Sequence, residues 1–214
     1  YLLPIPILIF YSLSLTGCVS TSPGISNIFT VKLQRFNETS SLLSEVRLGY
    51  FGVCASVSNG LSCSPSSGKS VDALFSSLIG PNSNTTSNLS DDSRHVLSMA
   101  LDIQSKIIIY LLAVAGVLFA ISLFFISLLK GHFRMAGIEN VNAGKRIQML
   151  RKVSMMTMWG SVAFALASAI SINQATSAME FITRVDSSSS IEITAGKTLN
   201  ILQWLLFAFS TLFA

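Results

Sequence analysis

The sequence predicts an α-helical membrane protein, a four-helix transmembrane bundle with a small extracellular antiparallel β-sheet. Three observations predict it. Half of the 214 residues are hydrophobic and only 11% are charged, and the mean hydropathy is +0.62, a balance too apolar for an ordinary soluble domain. Four segments, 2–15, 107–129, 153–172 and 199–214, carry no Asp, Glu, Lys or Arg. Between the first two lies the glycine-punctuated run Leu48-Gly49-Tyr50-Phe51-Gly52-Val53-Cys54, followed by Cys63 after a small polar stretch. That run reads as a disulfide-closed β-hairpin.

The two central segments reach the roughly 20 residues that a helix needs to cross the hydrocarbon core. The outer two are shorter, and the protein is expected to continue beyond Tyr1 and Ala214. Leu15-Thr16-Gly17-Cys18 resembles the cleavage box of a bacterial lipoprotein, and a short N-terminal apolar stretch also suits a signal peptide. A cleaved leader would be missing from the chain, so a retained first span over 1–18 is preferred. Pro4 and Pro6 fit best near a helix end, where missing N–H groups cost least.

Charge orients the bundle. Residues 130–152 hold Lys130, Arg134, Lys145, Arg146, Arg151 and Lys152 against Glu139 alone, whereas residues 19–106 hold six basic and six acidic residues and residues 173–198 two and three. Short loops rich in Lys and Arg stay cytoplasmic. The expected layout is therefore spans at 1–18, 107–129, 153–172 and 199–214, a cytoplasmic basic loop at 130–152, external segments at 19–106 and 173–198, and both termini inside. The net charge of +4 is explained by topology, so no nucleic-acid partner is implied. Asn37-Glu38-Thr39, Asn84-Thr85-Thr86 and Asn88-Leu89-Ser90 match the glycosylation acceptor pattern and all fall in the first external segment, which makes Asn37, Asn84 and Asn88 candidates. A bridge between Cys54 and Cys63 requires the same oxidising side.

Taken in order, residues 19–27 read as an exit loop rich in Ser, Thr and Gly. Residues 28–36 alternate, with Phe29, Val31 and Leu33 on one face, and predict a half-buried strand. Residues 45–56 predict a second strand, in which Val46, Leu48 and Tyr50 alternate until Gly52 interrupts. Gly49 and Gly52 suggest a bulge or the close approach of another backbone. Residues 61–64 would return antiparallel, and the nine-residue offset of the cysteines suits bridging of neighbouring strands at Cα separations of about 5–6 Å. Val71, Leu74, Phe75 and Leu78 have helical spacing over 70–79, and 81–90 reads as a mobile, glycosylated loop. Ser90-Asp91-Asp92 supplies a helix cap and first-turn acids for one helix of about 39 residues, roughly 58 Å long, continuing into the second span. Gly116 and Ala120 in that span, and Ser161, Ala165 and Ala169 in the third, recur every four residues, the spacing at which small side chains let helices approach closely in lipid. Internal bundle packing is the preferred reading, with homo-oligomer contact the alternative. Ile191-Glu192-Ile193-Thr194 could add a strand to the external sheet, and the place of Trp204 is left open.

Signals for catalysis are nearly absent, and no enzyme activity is expected. His95 and His132 fall on opposite sides of the membrane, and no Cys/His spacing suggests zinc. Cys18 reads as an inert buried thiol, and the serine-rich loops lack a base. No charged residue lies within a span to mark an ion path, which argues against a pore made of this chain alone. Asp91 and Asp92, with other external acids, could gather calcium, but they lack the spacing of a calcium loop. Capping and solvated charge explain them, so neither a metal nor another cofactor is expected. The basic loop could touch anionic lipid.

Four spans, a large first and a short second external loop, and Gly49, Cys54 and Cys63 at their spacing resemble the claudin-like superfamily, whose signature is Gly-Leu-Trp-x-x-Cys followed by a second cysteine. Tyr50 and Phe51 replace its Leu and Trp, a departure from animal claudins. Gly49-Tyr50-Phe51-Gly52-Val53-Cys54 is similar to the variant in the fungal mating-factor-induced family described as calcium regulators and membrane-fusion proteins. The resemblance implies a left-handed four-helix bundle topped by a small antiparallel sheet, with Cys54 and Cys63 bridged. It implies a plasma-membrane protein that promotes calcium influx and cell fusion during mating, and no catalytic residue carries over.

Three readings follow. The first is a regulator acting through its external sheet in the lipid bilayer, alongside a membrane-protein partner that is either a calcium-channel subunit or a second copy. The second is a structural organiser of plasma-membrane domains or of cell–cell adhesion. The third is a cation pore formed between several copies.

Overall fold

The computed structural model describes residues 3–22, 24–35, 44–57, 60–79, 87–106, 110–135, 141–185 and 191–214. Its helices are α1 (Pro4–Leu15), α2 (Val71–Ile79), α3 (Ser87–Lys106), α4 (Leu111–Met135), α5 (Val141–Val185) and α6 (Lys197–Phe213), and its strands are β1 (Val31–Arg35), β2 (Glu45–Leu48), β3 (Gly52–Val57), β4 (Gly60–Pro65) and β5 (Ile191–Ala195). The fold is mostly helical, with one antiparallel sheet in the order β4-β3-β2-β1-β5.

Alternation builds the sheet. Val31, Leu33, Val46, Leu48, Val53, Ala55 and Ile193 are buried on one face, where they meet Leu74, Phe75 and Leu78 of α2 and Leu97, Ala100 and Ile103 of α3. Off that core, the Glu45 carboxylate sits 3.4 Å from the Lys32 ammonium and 2.5 Å from Arg47 Nε, and the Arg47 guanidinium lies 5.4 Å from the centre of the Phe29 ring. The strand at 191–195 pairs with β1 in register Leu33↔Ile193 and closes that side of the sheet.

A second core lies among the remaining helices. Ile7 and Tyr11 of α1, Leu112, Ala115 and Phe119 of α4, Ala165 and Ile172 of α5, and Leu199 and Leu206 of α6 are buried together. Each helix packs on two others: α1 on α4 and α6, and α5 on α4 and α6. The helices α1 and α5 reach the sheet by their C-terminal ends, and α4 and α6 leave it by their N-terminal ends. Pro lies in the first turn of α1, where backbone N–H groups have no intrahelical acceptor. Two stretches, Leu111–Gly131 and Ile147–Thr183, are long and apolar enough to cross a membrane. Their outward faces are apolar, with Val117, Phe124, Met155, Met156 and Trp159 exposed.

Several expectations are corrected. The strand expected over 45–56 is two strands, because Gly49 N–H donates to the Gly52 carbonyl at 2.8 Å and turns the chain at Tyr50 and Phe51. In place of one helix from residue 90 onward there are two, α3 and α4, with Tyr110 in a turn and 107–109 outside the described residues. The first of these starts at Ser87, so Ser90, Asp91 and Asp92 lie inside α3 rather than at its cap; their side chains are outside the described set. The basic loop of 130–152 is largely helical, being the end of α4 and the start of α5, and α5 runs on to Val185 through half of the second external segment. At 45 residues α5 is about 68 Å long, since no Gly or Pro follows Gly160 to interrupt it.

Candidate functional site at the junction of sheet and helices

The motif run forms the hinge between the two cores. Gly49 and Gly52 flank the β2–β3 turn and lie directly on the backbone that leaves α1. A Cβ on Gly49 would fall on the Gly17 carbonyl oxygen, and one on Gly52 on the Cys18 carbonyl oxygen. Only glycine permits that approach. Of the two expected alternatives, a bulge or a close backbone approach, the close approach is present, and its partner is the segment just beyond the first helix.

The turn drives Tyr50 into the helices. Tyr50 is 1% exposed. Its hydroxyl lies 3.1 Å from Ser168 Oγ on α5 and accepts from Gln203 Nε2 on α6 at 2.8 Å. Gln104 Nε2 on α3 donates to the Gly49 and Tyr50 carbonyls, each at 3.0 Å. One turn is thus tied to three helices. Burial pushes the Tyr50 phenol up, against the lowering effect of Ser168 and Gln203, so the hydroxyl keeps its proton as a donor. Phe51 is half-buried and stacks on Tyr110 at 5.9 Å between ring centres.

The cysteines fix the next hairpin. Cys54 and Cys63 are bridged across directly opposed positions of β3 and β4, with Cα atoms 4.0 Å apart. This is closer than the 5–6 Å expected for neighbouring strands; directly opposed residues of an antiparallel pair approach to about 4.5 Å at non-hydrogen-bonded sites. Cys54 is fully buried under the Cys18 carbonyl, and Cys18 itself is a buried free thiol against the Ser26 and Ile28 carbonyls. Cys54→Ser should cost about 2–3 kcal/mol from the closed loop alone. It should also make Cys63 react with a membrane-impermeant maleimide in intact cells. An unreactive Cys63 in the folded variant would contradict the external placement of the pair.

Other predicted residues disperse. Ser161, Ala165 and Ala169 are buried on α5, where Ser161 donates to the Ala115 carbonyl at 2.8 Å and meets the Tyr11 hydroxyl at 3.2 Å. Gly116 faces the Tyr11 ring, whereas Ala120 is exposed and makes no part of this packing. Asn37 and Asn84 lie outside the described residues, as does the side chain of Asn88, which stands in the first turn of α3. Among the described residues no group of three His, Cys, Asp or Glu gathers to hold a metal ion.

Sequence reasoning missed Gln104, Ser168 and Gln203. A signal existed: Ser154, Ser161 and Ser168 recur every seven residues along α5, and Gln203 is polar within an otherwise apolar stretch. Both patterns place polar groups on a buried helix face, where they need partners. Ser14 Oγ and Gln203 Oε1 are also buried, with no hydrogen-bond partner among the described residues.

No curated protein sequence matches the chain. The sequence profile of one family, described as "Ca2+ regulator and membrane fusion protein Fig1", matches residues 31–214, from β1 to the end of the chain, which takes in the Gly49–Gly52 turn but not the Gly17–Cys18 segment it packs on. The chain is a member of the Fig1 family of Ca2+ regulators and membrane fusion proteins.

Proposed function

We propose that this protein is a four-span plasma-membrane regulator, with both termini cytoplasmic, that promotes calcium influx and cell fusion by acting on a channel-associated partner through its external sheet. The family description supports the calcium and fusion roles. The observation that carries the mechanism is the Tyr50 junction. A partner that shifts the sheet must move a side chain hydrogen-bonded to α5 and α6, so external binding biases how the helices pack. The claudin-like arrangement of spans belongs to the same reading, as do the small-residue faces and the sequons.

Cytosolic calcium imaging of cells expressing the full chain tests this. Expression should raise stimulated influx, and Tyr50→Phe should reduce it while surface expression persists. The reading also expects co-purification of a channel subunit. Calcium flux through liposomes containing the purified chain alone would overturn it in favour of a self-assembled pore.

A further inference from the structure

A cavity of about 230 Å³ opens beside the Tyr50 turn, between the β4–α2 connection, α3 and the start of α4. We propose that it is a binding site for a zwitterionic phosphate–ammonium headgroup of the phosphocholine or phosphoethanolamine class.

Two opposite charges line the one cavity without meeting. Lys69 is half-buried and its ammonium donates to Ser64 Oγ at 2.9 Å, which leaves two of its three protons for another acceptor. Asp102 is exposed at the rim, and among the described residues neither side chain is in an ion pair with the other. Ser66, 4% exposed, lines the same cavity. Its backbone is fully engaged, the N–H with the Phe51 carbonyl at 2.9 Å and the carbonyl with Lys69 N–H at 3.1 Å. Its hydroxyl is buried and has no partner among the described residues. A buried hydroxyl without a partner costs about 1–3 kcal/mol, a penalty removed once its side chain turns toward an acceptor bound in the cavity.

The aromatic wall completes the match. Phe51 and Tyr110 stack with an interplanar angle of 21°, and Tyr110 is 53% exposed. Ring faces attract ammonium and quaternary ammonium groups, the more so beside a carboxylate. A phosphate placed by Lys69 and Ser66 and an ammonium placed by Asp102 and Tyr110 need a ligand carrying both charges, which a simple anion or cation does not satisfy.

Location favours a lipid as the source. Tyr110 immediately precedes the apolar stretch that begins at Leu111, so the cavity would open at the outer water–lipid border, where headgroups and interfacial aromatics lie. This step rests on reading α4 as a membrane span.

The full chain reconstituted in vesicles of phosphatidylcholine and phosphatidylglycerol, followed by native mass spectrometry of retained lipid, tests the site. Soluble glycerophosphocholine serves as a competitor, and carbonate extraction of the same vesicles reports insertion separately. Phosphatidylcholine should be retained at least about fivefold over phosphatidylglycerol; Asp102→Asn should remove most of that preference, whereas Ser66→Ala, which deletes a contact to the phosphate that both lipids carry, should lower retention of both by a similar factor. Displacement by glycerophosphocholine would support the headgroup chemistry. Binding of glycerophosphocholine equal to that of the lipid would make the free headgroup the ligand. Equal retention of the two lipids together with no glycerophosphocholine binding would overturn the site. Glycerophosphocholine binding by a chain that carbonate extracts would keep the site and overturn the span. Asp102 is exposed and Ser66→Ala removes a single oxygen, so a folded Asp102→Asn variant that keeps full preference, or a folded Ser66→Ala variant that keeps full retention of both lipids, counts against the proposal.

Discussion

Gly52→Ala is expected to unseat the sheet from the helices. The added methyl would occupy the position of the Cys18 carbonyl and crowd the Val19 nitrogen, and both groups are backbone, so neither can swing aside as a flexible side chain would. Overpacking of this kind costs about 3 kcal/mol or more, which for a chain of this size lowers Tm by roughly 10 °C. Thermal unfolding in detergent reads the effect. Gly131→Ala is the control: it lies in α4 with nothing within 4 Å of an added Cβ, and alanine there should be neutral or stabilising by up to about 1 kcal/mol. Equal Tm values for the two variants would refute the backbone contact.

The second large effect is at Tyr50. Tyr50→Ala empties a pocket among α3, α5 and α6 and should cost about 3–5 kcal/mol. Tyr50→Phe keeps the ring but strands Gln203 Nε2 and removes the contact with Ser168, for about 1–3 kcal/mol. A double replacement separates the hydroxyl from the ring. Gln203→Leu removes the stranded donor together with a carbonyl oxygen that has no partner among the described residues. Tyr50→Phe combined with Gln203→Leu should therefore be less destabilised than the sum of the single changes. Strict additivity would mean that the hydroxyl and the amide do not interact.

These two positions show why the motif was readable as a unit while its role was not. The glycines signal a bulge or a close backbone approach, but no local rule chooses between the two or names an opposing segment. That segment is Gly17–Cys18, more than 30 residues away in sequence and adjacent only after α1 and the β2–β3 turn are both in place. Tyr50 continued the alternation of Val46 and Leu48, which made it a strand residue on paper. The 2.8 Å bond between Gly49 N–H and the Gly52 carbonyl overrides that alternation and turns Tyr50 out of the sheet. Phe51 covers Tyr110 at the edge of a cavity. The α5 helix was shortened in sequence reasoning because charge was used to bound it. Charge marks where solvent begins, whereas helical hydrogen bonding continues across that border until the backbone is interrupted.

The sequence by itself determined the composition of each layer: apolar helices, a short alternating sheet, a cysteine pair at hairpin spacing and a motif specific enough to indicate the family. These are local or periodic properties, carried by side-chain polarity and near neighbours in the chain. Only the tertiary structure decided that Gly49-Tyr50-Phe51-Gly52 is a turn that pegs the sheet to α3, α5 and α6, and that Lys69, Ser66, Asp102 and Tyr110 share one cavity. Those contacts join residues tens to more than a hundred positions apart. Which of the buried polar groups find partners depends on how the helices pack, and no spacing along the chain encodes that choice.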